Sequence, residues 1–289
     1  MHSAPAPSLQ IVLLSVAVCG GPLDACLTLA RQPEAPAQRD SGGSLPLAGG
    51  RFEWPPGIRA AVSLTYDDAL PSDLDVAGPA LDHHRLHGTF FLTASAIGDV
   101  ERWKALHQRG HELASHTMHH PCDRAESWVP EGGALQDYDL SRMDAELDAS
   151  IVFLRSLGAS APFTFAYPCG ATWVGAAHDS YVPSVGKRFV AARGVGPGLV
   201  DPLTETFQST PAVSADKRGD GLLDLVEKTA GRGEWLVIVF HGVGGDYLRV
   251  SAETHEALLA YLDVHRSFIW TDTFVAVASY IQSHRTPPQ

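Results

Sequence analysis

Two adjacent carboxylates, Asp67 and Asp68, close the apolar run Ala60-Ala61-Val62-Ser63-Leu64-Thr65-Tyr66. Neighbouring side chains of a strand point to opposite faces, so at a frayed C-terminal strand end the two can serve different jobs. Further along, Ser115-His116-Thr117-Met118-His119-His120-Pro121 follows the strand-like Glu112-Leu113-Ala114. If the chain coils into a helical turn there, His116 and His120 project from one face about 5–6 Å apart at Cβ, which suits two imidazoles on one divalent ion. His119 would then point elsewhere, and it reads with His83, His84, His87 and His111 as surface or structural. The metalloprotease pattern His-Glu-x-x-His is absent. One carboxylate with two histidines makes an open facial set, with positions left for water and a substrate oxygen. The second carboxylate is then free to act as a base. A metal lowers the pKa of its water towards about 7, and the base can take a proton as hydroxide attacks a carbonyl. The chemistry this set could perform is hydrolysis of an amide or an ester.

Two other segments end in groups of use to that chemistry. Val237-Ile238-Val239-Phe240-His241-Gly242 is an apolar strand that stops at a histidine, which could protonate a leaving amine or alkoxide opposite the base. Phe163-Thr164-Phe165-Ala166-Tyr167-Pro168-Cys169-Gly170 ends in a Pro/Gly turn, which can aim a backbone N–H at a developing oxyanion. Each segment alone also has an ordinary structural reading. Their common place at strand C-terminal ends carries the signal, because catalytic groups collect there in a barrel of parallel strands.

The elements that must position these groups alternate. β-branched or aromatic runs at 60–66, 88–93, 112–116, 162–167, 189–194, 235–240 and 268–274 predict strands. Amphipathic patterns at 74–86, 100–109, 140–157, 219–230 and 252–266 predict helices; in the third, Met143, Leu147, Ile151 and Leu154 recur every three or four residues. Strand-helix alternation argues for an α/β fold with parallel strands in one barrel-like domain. The long connections 121–138, with Trp128, and 170–186, with Trp173, are expected near the site, as is Tyr247; these rings could stack on a sugar or simply pack.

The chain has 289 residues, 45% hydrophobic and 19% charged, enough for an ordinary core without a disulfide framework. A formal charge of −12 gives no footprint for nucleic acid or an anionic membrane surface. Residues 11–18 form an apolar run too short for a membrane span of about 20 residues but suited to a signal-peptide core, so 1–30 reads as a leader and the protein as exported. No integral membrane domain is expected. Cys19 and Cys26 leave a lipoprotein as the lesser alternative, and 31–57 reads as a linker. Cys122 and Cys169 then remain, either as a disulfide or as two free thiols.

At this point the sequence resembles the polysaccharide deacetylase family, carbohydrate esterase family four, from about residue 57 to 281. The Thr65-Tyr66-Asp67-Asp68-Ala69 segment, the His116-Thr117-x-x-His120-Pro121 segment and the strand-terminal His241 carry the likeness, in the family's order. The resemblance implies a deformed (β/α) barrel of seven or eight strands over 58–285, with the active site at the strands' C-terminal ends. It implies Asp67 as general base, Asp68, His116 and His120 as ligands of one divalent metal, zinc first, and His241 as general acid. The family's third motif, Arg-Pro-Pro-x-Gly, becomes Ala166-Tyr167-Pro168-Cys169-Gly170, which would make the Cys169 amide the oxyanion donor and place Tyr167 and Pro168 with Trp173 and Trp128 at the substrate. The motif's arginine is replaced by Ala166, and Arg193 is the candidate to hold Asp67 in its stead. The fourth motif, an Asp and a Trp beside the acid histidine, is not recognisable in Ala191-Ala192-Arg193-Gly194-Val195. These departures imply a divergent member. The expected reaction is removal of N-acetyl groups from an amino-sugar polymer, chitin-like or peptidoglycan, by a metal-bound water. The alternatives are O-acetyl ester hydrolysis on acetylated xylan, hydrolysis of another amide such as a cyclic imide, and carbohydrate binding without turnover.

Overall fold

Strict alternation along β1 (Ala60–Asp67) sorts its side chains between two cores. Val62, Leu64 and Tyr66 join the larger apolar cluster beneath the surrounding helices, whereas Ala61 joins a smaller inner one. Every residue of the strand is buried, as expected for a parallel strand covered on both faces. The computed structural model describes residues 50–196 and 198–286, so the expected leader over 1–30, Cys19, Cys26 and most of the 31–57 linker lie outside it.

The strands β2 (Thr89–Leu92), β3 (Glu112–Ser115), β4 (Thr164–Ala166), β7 (Ala191–Arg193), β8 (Val213–Ser214) and β9 (Trp235–Phe240) extend the sheet from β1. Their order is β7-β4-β3-β2-β1-β9-β8, with β10 (Ile269–Thr271) along the first residues of β1, and every pairing is parallel. Beyond β7, the Gly194 amide donates to Thr210 O at 2.9 Å and the Thr210 amide to Ala192 O at 2.8 Å. These bonds carry the ladder to the segment that enters β8, closing a deformed (β/α) barrel. A separate antiparallel pair, β5 (Trp173–Val174) and β6 (Asp179–Ser180), lies inside the long 170–186 connection.

Parallel neighbours need crossovers, supplied by α1 (Gly78–His83), α2 (Val100–Gln108), α3 (Leu140–Ser156), α4 (Val182–Gly186), α5 (Leu222–Arg232) and α6 (Ala252–Val264). α1 follows a π-helical turn at Asp73–Ala77, so the expected helix at 74–86 is broken in two. α5 ends on Gly233 at φ 73°, the left-handed stop that glycine supplies at no steric cost.

A further helix, α7 (Phe274–His284), was not expected; its start had been assigned to the strand at 268–274. Thr273 caps it through the Ala276 amide, and Phe274, Val277, Ala278 and Ile281 seal the inner core at the bottom of the barrel. There the buried Glu112 carboxylate accepts from Thr89, Thr164 and the Val275 amide. Burial pushes its pKa up against these donors. Residues 51–54, assigned to the linker, pack here as well: Phe52 and Trp54 lie against the inner cluster, and the Trp54 indole donates to Gly233 O at 2.9 Å.

Leu64 is fully buried on the outer face of β1. Leu64→Ala should cost about 2–5 kcal/mol, read as a lower urea midpoint at unchanged slope. A loss under about 1 kcal/mol would mean that this layer does not bear on stability.

Candidate metal centre and its surroundings

The alternation that packs the inner core also aims polar groups at one mouth. On β1, Asp67 falls on the same face as Ala61 and Ser63; beyond β3, His116 follows Ala114; on β7, Arg193 follows Ala191; beyond β9, His241 follows Val237 and Val239. Four elements therefore deliver a carboxylate, two imidazoles and a guanidinium to the C-terminal end of the barrel.

Arg193 is fully buried and donates from Nη2 to Asp67 Oδ2 at 2.5 Å. Its Nη1 reaches Gly194 O at 3.1 Å, and the guanidinium lies over the Phe91 ring, 5.0 Å from the centroid. Asp67 Oδ1 is buried and without a hydrogen-bond partner among the described residues. The carboxylate is thus anchored through one oxygen and open at the other.

Asp68, one residue on, leaves the strand at φ 76°, followed by Ala69 at φ 60°. Its Oδ1 lies 3.4 Å from His116 Nε2 and 3.3 Å from His120 Nε2, and its Oδ2 accepts from the Tyr247 hydroxyl at 2.7 Å. His241 Nε2 stands 3.8 Å from the same Oδ2. His116 Nδ1 is 2.8 Å from the Ala166 carbonyl, which can only accept, so Nδ1 carries a proton and Nε2 is the nitrogen turned towards Asp68.

These donors fit a cation. One ligand atom each from Asp68, His116 and His120 lies within 4.8 Å of the others, and the buried Asp68 Oδ1 has no hydrogen-bond partner among the described residues. An acceptor oxygen facing two imidazole nitrogens needs a positive charge between them. In the protein without an ion that charge must come from protons. Burial works against ionising Asp68, but His116, His120 and the Tyr247 hydroxyl outweigh it and hold its pKa well below the usual carboxylate range. Burial likewise opposes protonation of His116, but Asp67 and Asp68 raise it overall. His120, desolvated and beside His116, is pushed down to about 4.

The route that brings the two histidines together differs from the expected helical turn. Thr117 at φ 67° and His120 at φ 53° are left-handed, so the segment is an irregular loop. Glu146 of α3 holds it: Oε2 accepts from the Met118 and His119 amides at 3.0 and 3.2 Å, and Oε1 lies 2.7 Å from His119 Nδ1. Glu146 was not among the expected site residues. The signal was available, since it shares the inward face of α3 with Met143, Leu147 and Ser150.

Cys169 sits on the turn after β4 at φ 54° and is joined to Cys122, so the alternative of two free thiols is set aside. The bond ties the turn to the chain immediately after His120. Its sulfurs lie close enough to His120 for a metal group, but oxidised cysteines offer no thiolate. With a sequence separation of 47, the cross-link contributes about 4 kcal/mol by chain-entropy arithmetic. The following Gly170 is at φ 69°, and a Cβ there would stand 2.4 Å from Val195 Cγ2, so a larger residue would strain the backbone and displace that side chain.

The expected substrate contacts divide. Trp128 is exposed, with its ring 5.6 Å from that of His120, and it flanks the centre. Trp173 stacks on His178 at 3.7 Å in the β5–β6 hairpin, part-buried. Tyr167 and Pro168 are buried, which corrects the expectation for Tyr167: its ring lies in the outer core and its hydroxyl donates to Gln208 O at 2.8 Å. The cause is again strand alternation, since Ala166 faces inward and its neighbour faces the helices. His241 Nδ1 is buried without a partner among the described residues, in keeping with the unrecognised fourth motif.

A parallel barrel with an Asp-His-His cluster at its mouth, beside a second, guanidinium-held aspartate, has the build of a metal-site hydrolase. The family model for polysaccharide deacetylase matches residues 56–186, which contain Asp67, Asp68, His116, His120 and Cys169. A crystal structure from Mycobacterium smegmatis, assigned to the polysaccharide deacetylases, superposes with TM-score 0.59 at 14% identity over 82% of this chain and 95% of that one. The family 4 carbohydrate esterase from Streptomyces lividans, solved with acetate, gives 0.50 at 17% over 79% and 98%. A gellan lyase of Bacillus sp is 24% identical over 265 residues, 81% of this chain, which spans about 10% of that relative's length. The match to the polysaccharide deacetylase family model falls on the segments whose motifs carried that resemblance, and the solved structures share the fold. Among the described residues no helix is long and apolar enough to cross a membrane.

Arg193→Met should destabilise the metal-free protein by about 3–5 kcal/mol, because it leaves Asp67 charged and unpaired in the barrel. Combined with Asp67→Asn, the loss should be clearly smaller than the sum of the two single losses in urea unfolding. Additive losses would show that the pair is not coupled.

Proposed function

We propose that the protein is a metal-dependent hydrolase that removes acetyl groups from a polysaccharide, with the N-acetyl groups of a chitin-like or peptidoglycan amino-sugar polymer as first substrate class. The observation that carries this reading is the buried Arg193–Asp67 contact beside the Asp68-His116-His120 cluster. It supplies the base with a fixed partner although the family's usual arginine is replaced by Ala166, which favours turnover over binding alone.

Asp68, His116 and His120 would hold the ion, zinc by preference for a carboxylate with two imidazoles. When bound, it supplies Lewis acidity, which polarises the acyl group and eases deprotonation of water. Asp67, held at Oδ2 by Arg193, accepts the proton of the attacking water at Oδ1 while the water oxygen bonds to the acetyl carbon. The Cys169 amide donates to the oxygen that gains charge. His241, protonated, gives its proton to the leaving nitrogen as the carbon–nitrogen bond breaks, and acetate and a free amine result. Trp128 beside His120 offers a sugar ring an exposed face. In this reading the protein is exported, to periplasm or extracellular space, where such polymers occur.

Acetate release from acetylated chito-oligomers should vanish with chelator and return with zinc. Release from acetylated xylan alone would make the protein an ester hydrolase, and release from neither by zinc-loaded protein would leave a binder or an enzyme for another amide such as a cyclic imide. Asp67→Asn should keep zinc and lose at least about 100-fold in kcat. Loss of zinc with it would show that the two aspartates are assigned the wrong way round. His116→Ala should lose zinc and activity together, checked by metal analysis and the same assay.

A further inference from the structure

The loop after β9 is built to present one side chain. Asp246 and Leu248, at φ 60° and 44°, place two left-handed non-glycine residues on either side of Tyr247. Such conformations cost energy and persist only where the surroundings over-determine them. Here Gly242 N donates to Tyr247 O at 3.0 Å, and Val250 N to Gly242 O at 3.0 Å. A Cβ on Gly242 would lie 1.9 Å from Gly245 O, so the loop closes only around a glycine. It is also locked to the loop that carries Asp68. The Ser72 amide donates to Asp246 Oδ2 at 2.9 Å, and the Val243 amide donates to Ser72 Oγ at 3.2 Å.

The result is the 2.7 Å hydrogen bond from the Tyr247 hydroxyl to Asp68 Oδ2. The tyrosine is 53% exposed, so this contact is not a by-product of core packing. Asp68 Oδ1, without a partner, is the oxygen that faces His116 and His120. A carboxylate that ligates through both oxygens takes two coordination positions, whereas one held at its second oxygen takes one.

We propose that Tyr247 is a positioning residue for the metal centre: its hydroxyl occupies Asp68 Oδ2, confines the carboxylate to one ligating oxygen, and so keeps a coordination position open for substrate. This rests on the reading of Asp68, His116 and His120 as ligands. The loop that holds His241 at its start thereby serves the metal side of the centre as well as the acid side.

Tyr247→Phe keeps the ring and the loop and removes only the hydroxyl. In metal-stripped protein titrated against a chromophoric chelator, the variant's zinc dissociation constant should rise about 10–100-fold over wild type. Cobalt(II) in the two proteins should give visible spectra of different intensity, because the coordination number changes. An affinity within twofold together with superimposable cobalt spectra would overturn the proposal. Failure of wild-type protein to bind zinc or cobalt would instead sink the ligand assignment beneath it. Should the Phe variant not fold by circular dichroism, Tyr247→Met, which removes the hydroxyl from the same half-exposed position, provides the same two readouts.

Discussion

The site depends on a charge that the barrel could not otherwise hold. Asp67 and Arg193 are both buried at its inner face, where an isolated ion would cost several kcal/mol of lost hydration. Their contact makes each tolerable, and Phe91 covers the guanidinium with an aromatic face. The pair also spans the barrel's wall, since β1 and β7 are separated in the sheet order by β2, β3 and β4. A carboxylate anchored across the ring has little freedom to turn. The same anchoring leaves Asp68, the next residue, to swing outward into the cluster with His116 and His120.

Backbone strain is concentrated around that cluster. Asp68, Ala69, Thr117, His120, Cys169 and Asp246 are all left-handed without being glycine, and all belong to loops at the strands' C-terminal ends. Each of these loops has its own restraint. Glu146 gathers the amides of the His116–His120 loop, the Cys122–Cys169 bond ties that loop to the turn after β4, and Ser72 with Asp246 joins the Asp68 loop to the Tyr247 loop. Local conformations that cost energy are maintained by contacts from neighbouring elements, and the side-chain atoms of Asp68, His116 and His120 stay close although no single segment is regular.

How much of this was legible in the sequence varied with the range of the interaction. β1, β2, β3, β4, β7, β9 and β10 could be read because apolar, β-branched runs are local signals, and the five expected helices have counterparts because their periodicity is local too. β8 and the β5–β6 pair have two residues per strand, too few to show a period. α7 was missed because the strand expected at 268–274 includes Phe274, whereas β10 stops at Thr271, Thr273 caps the helix and Phe274 begins the face that packs at the bottom of the barrel.

The sequence by itself determined which groups stand at strand ends and, through the two-residue period of β structure, that Asp67, Arg193 and His241 share the inward face; the same period turns Tyr167 towards the helices, against its expected place at the substrate. Tertiary structure alone decided that a left-handed loop brings His116 and His120 to Asp68, that Cys122 and Cys169 are joined, and that Tyr247 reaches the second oxygen of Asp68. The physical reason is separation along the chain: a strand's periodicity propagates through adjacent residues, whereas the partner of a carboxylate 126 or 179 positions away is chosen by how the barrel closes.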